Sequence, residues 1–316
     1  MAPSLRRLAG IDIGTLTCRL LIAELSSIGH LKELKSDRRI LRLGESVDQE
    51  RRLQVDAMER VLATLTEWRR VIDDLQAYAI TVVATSAVRD AANRGEFLDR
   101  VKREAGLEVE VITGEEEARR TMLGIRSGLP SGVADMLALD IGGGSTEFIL
   151  DRRDKPPIVH SMDIGVVRLS ERILRHDPPT VGEVDQAREW VRSETEDAVR
   201  DMPWLTEMAF VGTAGTITTL AAMAQQLPAY EPARIQNYTL TLETVKNLEQ
   251  QLLSRPKDHR RGMPGLESGR EEVIVAGTLI LSTVMERLGH HEVLVSDLGL
   301  REGVLIDLAN RLQKIE

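Results

Sequence analysis

Two aspartates, each set at the end of an apolar run beside glycine, carry the plainest chemistry in this sequence. Asp140 closes Leu137-Ala138-Leu139 and is followed by Ile141, three glycines at 142–144, then Ser145, Thr146 and Glu147. Glycine permits a turn that a Cβ would obstruct. Successive backbone N–H groups at such a turn form an anion-binding concavity, and the carboxylate beside it can hold the cation that neutralises phosphate charge. Asp12, Ile13 and Gly14, followed by Thr15, Leu16, Thr17, Cys18 and Arg19, repeat the arrangement. Both stretches read Asp-Ile-Gly, two residues, a hydroxyl, two residues, then apolar positions. Two such hairpins facing each other would clamp a phosphate chain from both sides, with an acidic residue from each half near the metal.

The elements around them alternate. Residues 8–25 read as strand, turn and strand, with further short strands over 32–35 and 39–43. Met58, Val61, Leu62, Leu65, Trp68, Val71 and Ile72 recur at three- and four-residue spacing, which predicts an amphipathic helix over 55–75. β-branched runs at 79–85, 108–113, 207–212 and 292–296 predict strands, and 158–162 and 165–169 read as strands or a strand and turn. Helices are predicted over 93–106, 114–126, 180–202, 217–226, 242–253, 270–288 and from 297 to about 312. Alternation of this kind indicates an α/β fold.

The 316 residues suggest two domains. Hydrophobic residues make up 42% and charged residues 29%, enough to bury real cores in a globular protein. No apolar run reaches the length of a membrane span, and the first residues lack a secretory apolar region. With one cysteine, Cys18, no intrachain disulfide can form, and a cytoplasmic location is expected. A net charge of −9 disfavours a nucleic-acid partner, and an aromatic content of 3% leaves few stacking platforms. A polyanionic substrate would need local arginines, main-chain amides and metal.

The duplicated hairpins, together with Gly212-Thr213-Ala214-Gly215-Thr216, resemble the actin, Hsp70 and sugar-kinase superfamily. Four further segments narrow the resemblance. Residues 84–89 (Ala-Thr-Ser-Ala-Val-Arg), 114–119 (Gly-Glu-Glu-Glu-Ala-Arg), 163–168 (Asp-Ile-Gly-Val-Val-Arg) and 296–303 (Ser-Asp-Leu-Gly-Leu-Arg-Glu-Gly) are similar to the exopolyphosphatase and guanosine pentaphosphate phosphohydrolase family. The similar segments run from residue 10 to residue 303, essentially the whole chain.

That resemblance implies two ribonuclease-H-like, actin-like ATPase domains with the active site in the cleft between them. The first would comprise 1–121 plus 296–316, the second 122–295. It implies Mg²⁺-assisted hydrolysis of a terminal phosphoanhydride, on inorganic polyphosphate or on the 5′ end of guanosine pentaphosphate, by water that a glutamate activates. Glu117 matches the base and Glu147 the second catalytic carboxylate, with Asp12, Asp140 and Glu147 on the metal side. Three glutamates stand together at 115–117, so Glu116 remains an alternative, and all three would equally suit an acidic first helical turn. The substrate phosphates would be held by Gly14, Thr15, Thr17 and Arg19, by Arg89, by Gly143, Gly144 and Ser145, and by Gly212, Thr213 and Arg270. A guanidinium grips phosphate oxygens bidentately, which suits the arginines. Around Arg270 the chain carries Glu271-Glu272 and Ala276-Gly277 where relatives commonly have Ala-Asp and Pro-Gly, which leaves the start of that helix open.

The basic loop 255–261 could guide a polyphosphate tail or be an ordinary solvated loop. His259, His290 and His291 have no partners at metal-ligand spacing, and Cys18 reads as a buried thiol. Larger family members carry further C-terminal domains, so a shorter grip and weaker processivity on long chains are expected here. The competing expectations are a small kinase or ATPase of the same superfamily, and a non-catalytic sensor of polyphosphate or a guanosine alarmone. No membrane partner is expected, and nothing in the pattern specifies an oligomeric state or chooses between the two substrates.

Overall fold

A computed structural model describes residues 6–25, 31–202 and 208–315. The N-terminal residues read above for a secretory region, and the first residue of the strand expected from 207, lie outside the described residues. The chain divides into two compact units, Met1–Ser127 with Gly299–Glu316, and Gly128–Leu298.

The first unit opens with β1 (Arg6–Ile13), β2 (Thr17–Leu25) and β3 (Leu31–Ile40), followed by α1 (Val47–Glu50) and α2 (Val55–Asp74). It continues with β4 (Ala79–Ala84), α3 (Ser86–Asp90), α4 (Arg94–Arg100), β5 (Glu110–Val111) and α5 (Gly114–Gly128). Its sheet runs in the order β3-β2-β1-β4-β5, with β1 antiparallel to β2 and parallel to β4. The apolar stripe of α2, including Met58, Leu62, Leu65 and Trp68, packs with Ile11, Ile13 and Leu20 in the main core. Leu305, Leu308 and Ala309, in the last helix, pack on Leu8 and Leu21 in a separate cluster. Adjacent strand residues face opposite sides, so one sheet supports both clusters.

The second unit contains β6 (Met136–Ile141), β7 (Thr146–Arg152), β8 (Lys155–Met162), α6 (Val166–Arg172), α7 (Val181–Val199), β9 (Ala209–Thr213) and α8 (Ala214–Ala224). It goes on through α9 (Pro232–Ile235), β10 (Thr239–Thr241), α10 (Leu242–Leu253), α11 (Lys257–Arg260), α12 (Ile274–Leu288) and β11 (Glu292–Val295), after which α13 (Leu300–Ile315) returns to the first unit. The sheet order is β10-β11-β9-β6-β7-β8. Strands β8-β7-β6-β9-β11 repeat the order and directions of β3-β2-β1-β4-β5. The duplicated motif is therefore the visible part of a duplicated fold, the two-domain actin-like architecture.

Several expectations need correction. Residues 165–169 are not extended: Gly165 caps a helix, because the amides of Val166 and Val167 bind the carbonyls of Gly142 and Gly143. That contact overrides the strand preference of two valines. Residues 31–40 form one strand, and 41–43 leave it to bond the first hairpin. The expected strand 108–113 shrinks to two residues. Arg89 lies in α3, and α4 ends in a π-helical turn over Val101–Ala105 that Gly106 closes at φ +64°. The long helix starts at Ile274, so Arg270 precedes it. A short helix, α11, occupies the basic loop.

Candidate active site

The two hairpins are built alike. In the first, Asp12 pairs across the ladder with Arg19, and the Gly14 N–H donates to the Thr17 carbonyl at 3.1 Å. In the second, Asp140 pairs with Glu147, and the Gly142 N–H donates to the Ser145 carbonyl at 3.0 Å. A Cβ on Gly14 would stand 2.8 Å from the Thr17 carbonyl oxygen, which explains why each hairpin turns on glycine.

In the second hairpin the turn's carbonyls are all committed. Val166 N–H donates to Gly142 O at 3.0 Å, Val167 N–H to Gly143 O at 2.8 Å, and Arg168 Nε to Gly144 O at 3.0 Å. In a trans peptide the N–H points opposite the C=O of the same plane. The amides of Gly143, Gly144 and Ser145 therefore turn together away from α6 and Arg168, which is the geometry of an anion-binding nest. Gly165 makes the approach feasible, since a Cβ there would overlap the peptide joining Gly143 to Gly144. Loop 41–44 does the same for the first hairpin: Gly44 N–H binds Thr15 O at 2.8 Å, and Leu41 and Arg42 N–H both bind Leu16 O. The Thr15 hydroxyl meets that of Ser86 at 2.7 Å, at the start of α3.

The hairpin carboxylates are buried, Asp12 6% exposed, Asp140 8% and Glu147 1%, and so is Glu117 of α5 at 8%. Directly opposed residues share a face of the sheet, so Asp140 and Glu147 place two buried carboxyl groups side by side. On its other flank Glu147 pairs with Ser161 of β8, whose hydroxyl donates to Glu147 Oε1 at 2.8 Å. Two adjacent carboxylates next to a ring of main-chain amides fit a divalent cation that keeps several waters and shares the phosphate. Among the described residues no group of three or more His, Cys, Asp or Glu side chains gathers into a ligand set.

Glu117 sits in the first turn of α5, its Oε2 3.4 Å from Arg89 Nη1, which also donates to Ile112 O at 2.9 Å. Its neighbour Glu116 is differently placed. Two bonds from Arg119 and one from Arg120 hold it, and the Arg119 bonds, working against partial burial, draw its carboxyl below the usual range. Of the two glutamates, Glu116 is bound into structure by Arg119 and Arg120, and Glu117 faces Arg89.

The third glycine turn, residues 212–216, links β9 to α8 as residues 84–86 link β4 to α3. Thr213 caps α8 and its hydroxyl donates to Leu298 O at 3.2 Å. Ala214 is held at φ +70°, a left-handed conformation that costs a residue bearing a Cβ about 1 kcal/mol or more. The Arg270 guanidinium lies against Gly215 so closely that a Cβ there would overlap it, and Glu267 anchors its Nε at 2.6 Å. Gly212 faces Ile217 and Val293 and is required for packing.

The structure thus gathers Asp12, Gly14, Thr15, Thr17, Arg19, Arg89 and Glu117 in the first unit. It gathers Asp140, Gly143, Gly144, Ser145 and Glu147 around one turn of the second, with Gly212, Thr213 and Arg270 around another. Sequence reasoning gave no role to Ser86, Ser161, Gly165 or Arg168. The last two lie in a segment noted for its resemblance, whose purpose is to tie back the glycine turn. Cys18 is buried, and desolvation, with Asp12 nearby, raises its thiol far above the ordinary range. The basic loop is internally satisfied. Lys257 pairs with Glu272, Arg261 with Asp258 at 3.4 Å, and buried Arg260 with Asp177 at 2.8 Å, while Arg255 donates to Gln251 O.

The model of the Ppx/GppA phosphatase family matches residues 21–312. Exopolyphosphatase 2 of Mycobacterium tuberculosis is 36% identical over 97% of this chain and 99% of its own. A guanosine-5′-triphosphate,3′-diphosphate pyrophosphatase of Aeromonas hydrophila is 28% identical over 95% of this chain and 59% of its own length. The crystal structure of an Aquifex aeolicus Ppx/GppA family member matches with a TM-score of 0.83 and 36% identity over 98% of this chain and 99% of that one.

Proposed function

For this chain, which belongs to the Ppx/GppA phosphatase family, we propose a reaction in which Glu117 activates the water that cleaves a terminal phosphoanhydride. The enzyme is a phosphoanhydride hydrolase whose substrate is inorganic polyphosphate or guanosine pentaphosphate. Water attacks the terminal phosphorus, its proton passes to the Glu117 carboxylate, and the bridging P–O bond breaks with its electron pair leaving on the shortened chain. The amides of Gly143, Gly144 and Ser145 hold phosphate oxygens, with Arg89 and Arg270 as guanidinium grips. Thr15, Thr17, Arg19 and Thr213 offer further donors, while Gly14, whose N–H is spent on the Thr17 carbonyl, and Gly212 shape the turns that carry them. A divalent cation, in our reading Mg²⁺, would be held from Asp140 and Glu147 and would supply neutralisation of phosphate oxygens, Asp12 being the matching carboxylate of the first hairpin.

The observation that carries this reading is the Arg89–Glu117 contact of 3.4 Å. A phosphate gripped by Arg89 comes to rest beside a buried carboxylate. The testing experiment is phosphate release from polyphosphate and from guanosine pentaphosphate, with and without Mg²⁺. Mg²⁺-dependent release from either supports it; ATP-dependent phosphorylation of an acceptor with no such release overturns it.

A further inference from the structure

Helix α5 carries Glu117, and its position is set by a crossing with α13. The two backbones touch. A Cβ on Gly303 would overlap the carbonyl of Arg120, and one on Gly124 would overlap the carbonyl of Gly299. Only glycine allows helices to approach so closely.

At the same crossing lies a cluster of charges. Arg119 Nη2 donates to Asp307 Oδ1 of α13 at 2.6 Å, and Arg120 Nε lies 3.4 Å from Asp307 Oδ2. Arg120 also grips Glu110 of β5 with two bonds, at 2.8 and 3.1 Å. Glu116 closes the cluster by bonding both arginines. Arg120 is 2% exposed and Asp307 6%, so these charges have left water. Apolar side chains would fill such a crossing at least as stably, because buried ion pairs repay their desolvation poorly. What the cluster adds is a defined angle and depth for α5, which carries Glu117 one turn before Arg120.

We propose that Arg120 and Asp307 are positioning residues for Glu117: α13 fixes where the carboxylate stands relative to the attacking water. The inference rests on Glu117 being the base. Neither residue touches substrate in this scheme. Their loss therefore lowers kcat and leaves KM alone, since a displacement near 1 Å costs about 10²-fold in rate.

The test is a double-mutant cycle on kcat with polyphosphate as substrate, using Asp307→Asn, Glu117→Gln and the two combined, with KM and the unfolding midpoint measured for each. The expected result is a 10- to 100-fold fall in kcat for Asp307→Asn (about the range for such a displacement), with KM within twofold. In the Glu117→Gln background the same substitution should change the residual rate by less than twofold, because there is no base left to misplace. A full multiplicative loss in that background, or a wild-type kcat for Asp307→Asn, overturns the proposal. A wild-type rate for Glu117→Gln instead refutes the base itself and is read independently. Should Asp307→Asn not fold, Arg119→Gln removes the 2.6 Å contact from the half-exposed side and enters the same cycle.

Discussion

Asp140 and Glu147 are direct cross-strand partners on β6 and β7, and both carboxylates are buried. At the matching place in the first hairpin Asp12 faces Arg19. One copy of the repeat opposes unlike charges, the other opposes like charges. Like charges directly opposed in a ladder repel, and a cation bound beside them would offset that repulsion.

Replacing one of the pair should therefore separate stability from activity. Asp140→Asn is expected to stabilise the metal-free protein by about 0.2–1 kcal/mol while lowering the rate of phosphate release. Added Mg²⁺ should raise the wild-type unfolding midpoint and leave the variant's nearly unchanged. Thermal denaturation with and without the ion measures both effects.

Gly165 is a test of the nest. A methyl group at this position overlaps the Gly143–Gly144 peptide, so Gly165→Ala must push the glycine turn off α6. Because the turn's amides are proposed to hold phosphate in ground state and transition state alike, KM should rise by about 10-fold or more, as one or two charge-assisted bonds at 1.5–3 kcal/mol each are weakened. Kinetics on short polyphosphate chains would show it.

Much of this was legible in the residues. The Asp-Ile-Gly repeat marked both hairpins, because strand-end aspartate and glycine turns are local devices. The three glutamates at 115–117 could not be separated in the same way. Glu116 and Glu117 differ only in which neighbours α5 turns them toward, Arg119 and Arg120 or Arg89, and those partners are set by packing. The helical state of residues 166–172 was hidden for a related reason. Two adjacent valines favour a strand, and only the carbonyls of a turn more than twenty residues earlier draw them into a helix. Ser161 escaped notice, and Arg168, though part of a resembling segment, had no role, because a single hydroxyl or arginine has no spacing to betray its partner.

The basic loop is predicted to matter for stability rather than for the substrate tail. Arg260 is buried and bonds Asp177, Leu252 O and Glu271 O. Arg260→Ala should cost about 1–3 kcal/mol for each buried carbonyl it leaves unsatisfied, the Asp177 end of the ion pair being half-exposed. KM for long polyphosphate should stay the same in a folded sample at low temperature. A rise in KM confined to long chains would assign the loop to the substrate instead.

His290 gives the fold an acid-sensitive element. It stacks on Phe210 with ring centroids 4.5 Å apart, and desolvation, aided by His291, pushes its pKa below the ordinary histidine value of 6.5. The unfolded chain then binds the proton more readily than the folded one. Stability from this residue is complete above about pH 6.5 and is lost as pH falls toward the lowered folded value. Glu249, raised by burial despite its bonds to Ser282 and Arg188, acts with the opposite sign. His290→Phe should flatten the decline in unfolding midpoint between pH 7 and 5 (roughly the histidine window).

The central claim is that Glu117 turns a phosphate clamp into a hydrolase. Its most direct test is the initial rate of phosphate release by Glu117→Gln on polyphosphate and guanosine pentaphosphate, beside exposed Glu115→Gln as a control. The account predicts a loss of about 10²- to 10⁴-fold for Glu117→Gln, the usual contribution of a general base, with substrate still bound and Glu115→Gln at the wild-type rate. A Glu117→Gln enzyme that releases phosphate as fast as the wild type would contradict it.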